Sequence, residues 1–525
     1  MPQVAAGGIP RTADSPAAPI AASHAWTRDI HFSPTLIFAG ILAVALGLRI
    51  VGLGSHSVWL DEAFVVAVTR ETWTGLLATL RAADSHPPLY YLIVKVWSGV
   101  AGTGEVALRL PSACATAATV ALTYLLARRL AGEPTALLGA FLVAVSPFQI
   151  MAGQEARMYA LLSMLAVGST LALYDAVKNG GRARWALYAL SAVLTAYTQY
   201  LGLLVLAGHG VWIFRYERTH ARTWLAAMAV ATAAFAPWLP ALWQQALHAA
   251  GSPWYRDAFP PMLLADLLGL LAYGGSLAGT AGYFFAGTLR PFETLVVLIP
   301  FLVLLWLGGR ALSQRQAALA LVALPALVPI AAAFGVSLIR PMFMPRWFSF
   351  VMPFYAIVVA AGVVDVVDRF QGRREQAAAL FVAALFLYDM PALAQYYLAP
   401  NARPFQWRAA AAVVQTHVRP GDSFLYVSPA DLPFRYYFHG RYPSIVLSPP
   451  NVSTPGTGPG MLTASVVRDL ALRHSRVWLV ATLRAGGPAP RQLFSVLSSA
   501  YGIAWRGDFG GAYVFLLERR GGAPP

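Results

Sequence analysis

The sequence predicts a polytopic α-helical membrane protein of about 11–13 spans, followed by a small C-terminal α/β domain. Three observations carry that reading. Of the 525 residues, 58% are hydrophobic and only 12% are charged, against about a quarter charged in a soluble globular chain. Apolar runs of spanning length, roughly 20 residues each, recur between residues 34 and 398. From residue 399 onward the pattern changes to short β-rich runs separated by helical stretches, which marks an α/β layer domain.

Residues 1–33 are rich in Ala, Pro, Ser and Gly, and no small-residue cleavage site follows the first apolar run. They read as a disordered cytoplasmic leader, with the first span an uncleaved anchor. The membrane domain, 34–398, has apolar runs at 34–54, 110–127, 134–151, 158–177, 185–199, 201–214, 223–243, 291–309, 316–338, 347–368 and 376–392. The runs 185–199 and 201–214 are short and abut, which predicts a tight hairpin. Five basic clusters separate the runs: Arg128/Arg129, Lys178/Arg182/Arg184, Arg215/Arg218/Arg222, Arg310/Arg315 and Arg369/Arg373/Arg374. Cytoplasmic loops collect Lys and Arg. Placing all five inside uses eleven spans and keeps the N-terminus cytoplasmic. The stretches 55–109, 152–157, 244–290 and 339–346 then lie outside, with everything after 393.

Within the first outer loop, 55–109, one stretch imitates a span. Between 86 and 100, Leu89, Leu92, Ile93, Val96, Trp97 and Val100 recur at helical spacing, with Tyr90 and Lys95 elsewhere on the wheel. The stretch is amphipathic and too short to cross, so it is expected to lie in the outer interface. Residues 262–289 read as outer-face or re-entrant. In the domain 399–525, strands are expected at 423–427, 476–481 and 512–517, and helices at 405–418, 461–474 and 489–500. It contains no Gly-rich phosphate loop, CxxC or HExxH.

The net charge of +15 is unevenly placed: from Asn401 onward there are 13 arginines, no lysine and five acids. This reads either as an arginine-rich genome or as a basic surface facing anionic lipid headgroups or glycans. A tether of many spans argues against nucleic acid as the partner. Cys114 is the single cysteine, so no intrachain disulfide forms.

The expected outer loops hold the residues with chemistry to offer, at a depth where charge is costly unless it has a task. Asp61 and Glu62 follow the first span in Trp59-Leu-Asp61-Glu62-Ala63. Asp61 reads as a helix cap or as a general base tuned by partial desolvation. His86, in Ser85-His86-Pro87-Pro88, is a surface cap or a group lining the same pocket, the prolines suiting a first helical turn. By ligand type, Asp61, Glu62 and His86 also suit a divalent ion, the one cofactor the sequence raises. Glu155, Arg157 and Tyr159 sit at one outer mouth, Arg340 and Arg346 at another. Positive-inside bias disfavours these arginines, so they either snorkel or hold phosphate through a bidentate fork. Carboxylates, a histidine and arginines around an apolar cleft suit a lipid-linked phosphate: the cleft holds the chain, arginine the phosphate, and a carboxylate deprotonates an incoming hydroxyl.

The same residues resemble the GT-C superfamily of polyprenyl-phosphate-sugar-dependent glycosyltransferases. The branch they resemble is protein-mannosyltransferase-like, with rhizobial galacturonosyltransferase-like and aminoarabinose-transferase-like enzymes. The matching pieces are Trp59-Leu-Asp61-Glu62-Ala63, His86-Pro87-Pro88-Leu89-Tyr90-Tyr91, Arg109-Leu-Pro111-Ser112, Ser146-Pro147, Glu155-Ala-Arg157-Met-Tyr159 and Pro345-Arg346-Trp347 followed by Pro353, in order over 55–355. The resemblance implies a GT-C fold with Asp61 as catalytic base, Glu62 supporting it, Arg157 and Arg346 near the donor phosphate and His86 at the pocket border. Arg109 matches too, although helix anchoring explains it equally well. Trp347 stands where the family carries tyrosine.

The expected activity is inverting transfer of a sugar from a polyprenyl-phosphate donor to a lipid, glycan or protein acceptor. The expected place is the periplasmic face of a bacterial inner membrane. A lipid or sugar transporter is the rival class, but no internal repeat appears and the charges gather at one face. A ligase or polymerase of lipid-linked glycans shares the chemistry with another donor.

Overall fold

The computed structural model describes residues 33–251, 291–339, 343–370, 372–398, 405–447, 464–482 and 489–520. The leader, the 262–289 stretch and Arg340 lie outside the described residues.

All eleven predicted apolar runs are helical. They are α1 (Pro34–Ile50), α5 (Glu105–Ala131), the pair α6 (Glu133–Val145) and α7 (Pro147–Gly153), α8 (Tyr159–Asn179), α9 (Arg182–Thr198), α10 (Leu201–Tyr216) and α11 (Ala221–Phe235), which a 3-10 turn joins to α12 (Leu239–Gly251). After the undescribed stretch come α13 (Pro291–Ser313), α14 (Gln316–Ile339), α15 (Met352–Val367) and α16 (Arg374–Leu398). Among the described residues five helical stretches are long and apolar enough to cross a membrane, and the bent pair α6–α7 adds a sixth. The run expected over 134–151 is broken within its length, because the chain turns by 59° between α6 and α7. The break follows from two residues: the Ser146 side chain accepts from the Gln149 amide, and Pro147 starts the new helix without an N–H of its own.

The helices enclose one large apolar core built from Val120, Val143, Leu162, Val205, Leu321 and Phe354, among others. Some of its contacts leave no room for a side chain. A Cβ on Gly308 of α13 would lie 1.8 Å from the Val358 carbonyl oxygen, and one on Gly362 of α15 would lie 2.2 Å from that of Leu304. Small residues that let helix backbones approach are the usual means of packing in lipid, where burial of apolar surface gives no preference for protein over acyl chain.

Three short helices cover one end of the bundle: α2 (Leu60–Arg70), α3 (Trp73–Ala83) and α4 (Leu89–Ala101). Helix α4 buries Tyr90, Tyr91 and Val94 against the protein and leaves Ile93, Val96 and Val100 exposed. Part of its apolar stripe therefore faces away from the protein, while Leu89 and Leu92 pack against it. The opposite end gathers the basic clusters: Arg129 pairs with Asp175 at 2.6 Å, Lys178 with Glu217 at 2.8 Å, and Arg315 donates to the Leu130 carbonyl at 3.2 Å.

The C-terminal residues form a five-stranded sheet of order β2-β1-β3-β5-β4. Strands β1 (Ser423–Val427), β2 (Ser444–Leu447) and β3 (Arg476–Thr482) run parallel, while β5 (Ala512–Arg519) is antiparallel to β3 and to β4 (Tyr501–Phe509). Helices α17 (Trp407–His417) and α18 (Asp431–Tyr437) join the core on one sheet face; α19 (Ala464–Arg473) and α20 (Ala489–Leu497) join it on the other. Helix α18 rests on α2, its Leu432, Tyr436 and Tyr437 packing into the apolar cluster beneath the outer loop.

Candidate active site

Helix α2 carries Asp61 and Glu62 as neighbours, and adjacent helical residues do not share a face. Glu62 is fully buried. Its Oε1 accepts from Arg109 Nε at 2.8 Å and from the Ala156 amide at 2.9 Å; its Oε2 accepts from Arg109 Nη2 at 2.7 Å and the Trp59 amide at 3.4 Å. Arg109, on α5, spends its remaining donors on the carbonyls of Leu53 at 2.8 Å, His56 at 3.0 Å and Ser57 at 3.2 Å. A buried pair satisfied this completely costs much to break and locks the entry of α2 to α5 and to the α7–α8 turn.

Asp61 stands in contrast. Its side chain is 21% exposed, and Oδ2 has no hydrogen-bond partner. That oxygen lies 3.7 Å from Arg157 Nε and 3.6 Å from Arg346 Nη2, close enough for strong attraction and too far for a hydrogen bond. Arg157 comes from the turn before α8 and is buried, its Nη1 donating to the Tyr91 hydroxyl at 3.1 Å. Arg346 comes from the 3-10 turn Pro345–Val351 before α15, with its guanidinium over the Trp59 ring at 5.2 Å. Tyr159 is buried beside Arg157, and its hydroxyl has no hydrogen-bond partner. One carboxylate oxygen, a guanidinium Nε and a phenol thus converge with unused hydrogen-bonding capacity. Such groups cost free energy when buried unless a ligand completes them.

A second polar chain runs from Arg157. The Tyr91 hydroxyl lies beside the Asp84 carboxylate, and His86 Nδ1 lies 3.0 Å from Asp84 Oδ1. Burial pushes the Asp84 carboxyl up. His86, with the Arg157 charge and the neighbouring Tyr91 hydroxyl, outweighs it and holds the group below the ordinary carboxylate value.

The structure brings Asp61, Arg157, Tyr159 and Arg346 together, and His86 reaches them only through Asp84 and Tyr91. Glu155 is buried in the same turn, where its carbonyl accepts from the Arg157 amide at 2.8 Å. The metal set expected from Asp61, Glu62 and His86 is corrected. Among the described residues no three His, Cys, Asp or Glu side chains gather to hold an ion, and both Glu62 oxygens are taken by Arg109 and backbone amides. Sequence reasoning missed Asp84, Tyr91 as a site residue and Trp59 as the platform for Arg346. It also missed the contacts from the C-terminal domain. Asp84 alone had a local signal, two residues before His86.

With this geometry in view, comparison with known proteins is informative. Residues 85–243 match the model of the dolichyl-phosphate-mannose-protein mannosyltransferase family. No curated protein sequence matches the chain. The fold is similar to that of ArnT from Cupriavidus metallidurans in the apo state, with a TM-score of 0.63, 14% identity, and 92% of this chain and 98% of that one covered. The same protein bound to undecaprenyl phosphate gives a TM-score of 0.60, with the same identity and coverage. The oligosaccharyltransferase of Archaeoglobus fulgidus, in complex with Zn and sulfate, gives 0.55 at 15% identity, over 91% of this chain and 72% of that one. The chain is a multi-pass membrane protein that carries the fold of the GT-C glycosyltransferase superfamily.

Proposed function

We propose that the protein is an inverting glycosyltransferase that moves a sugar from a polyprenyl-phosphate donor to an acceptor hydroxyl at the periplasmic face of a bacterial inner membrane. The observation that carries this reading is Asp61 Oδ2, unpartnered at 3.6–3.7 Å from two guanidinium groups. Arg157 and Arg346 hold the donor phosphate between them, and the Tyr159 hydroxyl donates to it. Asp61 takes the proton of the acceptor hydroxyl as that oxygen attacks the anomeric carbon. The bond from carbon to phosphate oxygen breaks, and its electron pair leaves on the phosphate, where the two arginines stabilise the new charge. Glu62 is a positioning residue, since its hydrogen bonds are already committed. With Asp61 acting as base rather than as nucleophile, a single displacement by the acceptor oxygen inverts the anomeric centre, whereas retention needs a second displacement through a covalent glycosyl intermediate. Support for a lipid-phosphate donor comes from the similar proteins whose structures hold undecaprenyl phosphate or dolichol-phosphate.

The test follows release of free polyprenyl phosphate from a panel of lipid-linked sugars, with membrane extract as acceptor. Wild type is expected to release it from one donor, and Asp61→Asn, still folded, to lose about 10²–10⁴-fold in rate. Undiminished turnover in Asp61→Asn would overturn Asp61 as the base. Silence of the wild type with every donor would favour transport or ligation of a larger lipid-linked glycan.

A further inference from the structure

The segment leading into α2, residues 51–59, has no regular structure, so its backbone groups need outside partners. Arg109 supplies three of them from the membrane domain. The C-terminal domain supplies two more, at the Val58 amide and the Gly54 carbonyl. The Tyr437 hydroxyl accepts from the Val58 amide at 2.6 Å, and Val58 is fully buried. Arg408 Nη2 donates to the Gly54 carbonyl at 2.7 Å, and the Arg408 amide donates to Ser57 Oγ at 3.2 Å. Both side chains also converge on Glu105, the first residue of α5: Tyr437 donates to its Oε1 and Arg408 pairs with its Oε2. Tyr436 adds a bond to the Thr103 carbonyl at 2.7 Å. Burial and the neighbouring Glu105 carboxylate push the Tyr437 phenol well above its ordinary value, so it stays protonated and keeps both bonds.

We infer that Tyr437 and Arg408 are positioning residues for the transfer reaction, so that the C-terminal domain completes the mount of the Asp61 helix. Val58 is one residue from Trp59, whose ring supports Arg346, and three from Asp61. A shift of the 54–58 segment therefore moves the base and one phosphate-binding arginine together. The inference rests on the transferase reading of Asp61 given above. Misplacement of a reacting group by about 1 Å can cost on the order of 10²-fold in rate, so loss of one of several restraints should cost less than that.

Full-length Tyr437→Phe keeps the ring and removes the acceptor for the Val58 amide. It is expected to lower kcat about tenfold while the donor KM stays within about twofold, because Arg157 and Arg346 still bind phosphate. Amide hydrogen exchange over 54–59, measured without substrate, should quicken in the same variant. Arg408→Gln should act in the same direction and guards against a peculiarity of one substitution. Unchanged kcat per folded molecule, with only a lower melting temperature, would overturn the inference. So would a raised donor KM at unchanged kcat, which would place Tyr437 in the donor seat. A wild type silent with every donor sinks the transferase reading and the catalytic role with it. Unchanged exchange in Tyr437→Phe sinks the latch itself, so the two failures are told apart.

Discussion

At the scale of single residues, adjacent carboxylates have opposite fates, and composition alone does not separate them. Asp61 and Glu62 look alike in the sequence, both beside an apolar run. The fold assigns one to an open gap between cations and the other to a sealed pair with Arg109, 47 positions away in sequence. Their stability effects should differ accordingly. Glu62→Gln leaves the Arg109 guanidinium buried without its counter-charge, at a cost of about 3–5 kcal/mol. Replacing both partners with leucine leaves no orphan charge but strips the Leu53, His56 and Ser57 carbonyls and the Ala156 amide of their partners, so it should cost at least as much as Glu62→Gln. Thermal unfolding in detergent, followed for both single variants and the double, checks the order. Asp61→Asn should lower the same midpoint less than Glu62→Gln, as Asp61 Oδ2 makes no hydrogen bond and its two longer ion pairs, at 3.6 and 3.7 Å, are partly exposed. The candidate base and the arginines around it were legible because charge in an outer loop of a lipid-solvated chain stands out. Asp84, Tyr91 and Trp59 were not, since a tyrosine or tryptophan near a membrane surface is ordinary until a guanidinium lies against it.

At the scale of elements, the periodicity and length of the apolar runs located the long helices of the membrane domain within the described residues, but not α2 or α3. They did not reveal the turn at Ser146-Pro147 as a break, because proline is tolerated inside membrane helices and marks a stop only where a capping side chain precedes it. Nor did they reveal which glycines matter. Gly308 and Gly309 are neighbours on α13, yet a Cβ at the first would meet the Val358 carbonyl oxygen at 1.8 Å while one at the second meets nothing within 4 Å. Gly308→Ala must therefore push α13 off α15 and should destabilise by about 1–3 kcal/mol. Gly309→Ala should be neutral or stabilising by up to about 1 kcal/mol, the helix-propensity gain of alanine. Melting of the two variants in parallel gives a signed test within one helix; equal effects would mean that α13 and α15 do not meet as closely as the backbone shows.

At the scale of the whole molecule, the charge pattern and the fold divide the chain in the same way. Counting basic residues sets five clusters apart from the loops that hold the carboxylates. In the fold, Arg129, Lys178 and Arg315 bond to Asp175, Glu217 and the Leu130 carbonyl, which ties together the ends of α5, α8, α10 and α13. Asp61 and the sheet domain share contacts with the first outer loop instead. How the sheet domain seats on that loop was not legible: Tyr437 meets Val58 across 379 residues, and no local periodicity encodes such a contact. If the loop clusters face the cytoplasm, the sheet domain faces the other side, and cysteine accessibility decides it. In a Cys114→Ala background, Ser499→Cys on the exposed surface after α20 should react in intact cells with a membrane-impermeant maleimide. Arg182→Cys, exposed at the start of α9, should react only after permeabilisation. The reverse pattern would turn the whole molecule over and put Asp61 on the cytoplasmic side, where nucleotide-linked sugars are available as donors. The stated pattern leaves the site where only a lipid can carry an activated sugar across to it.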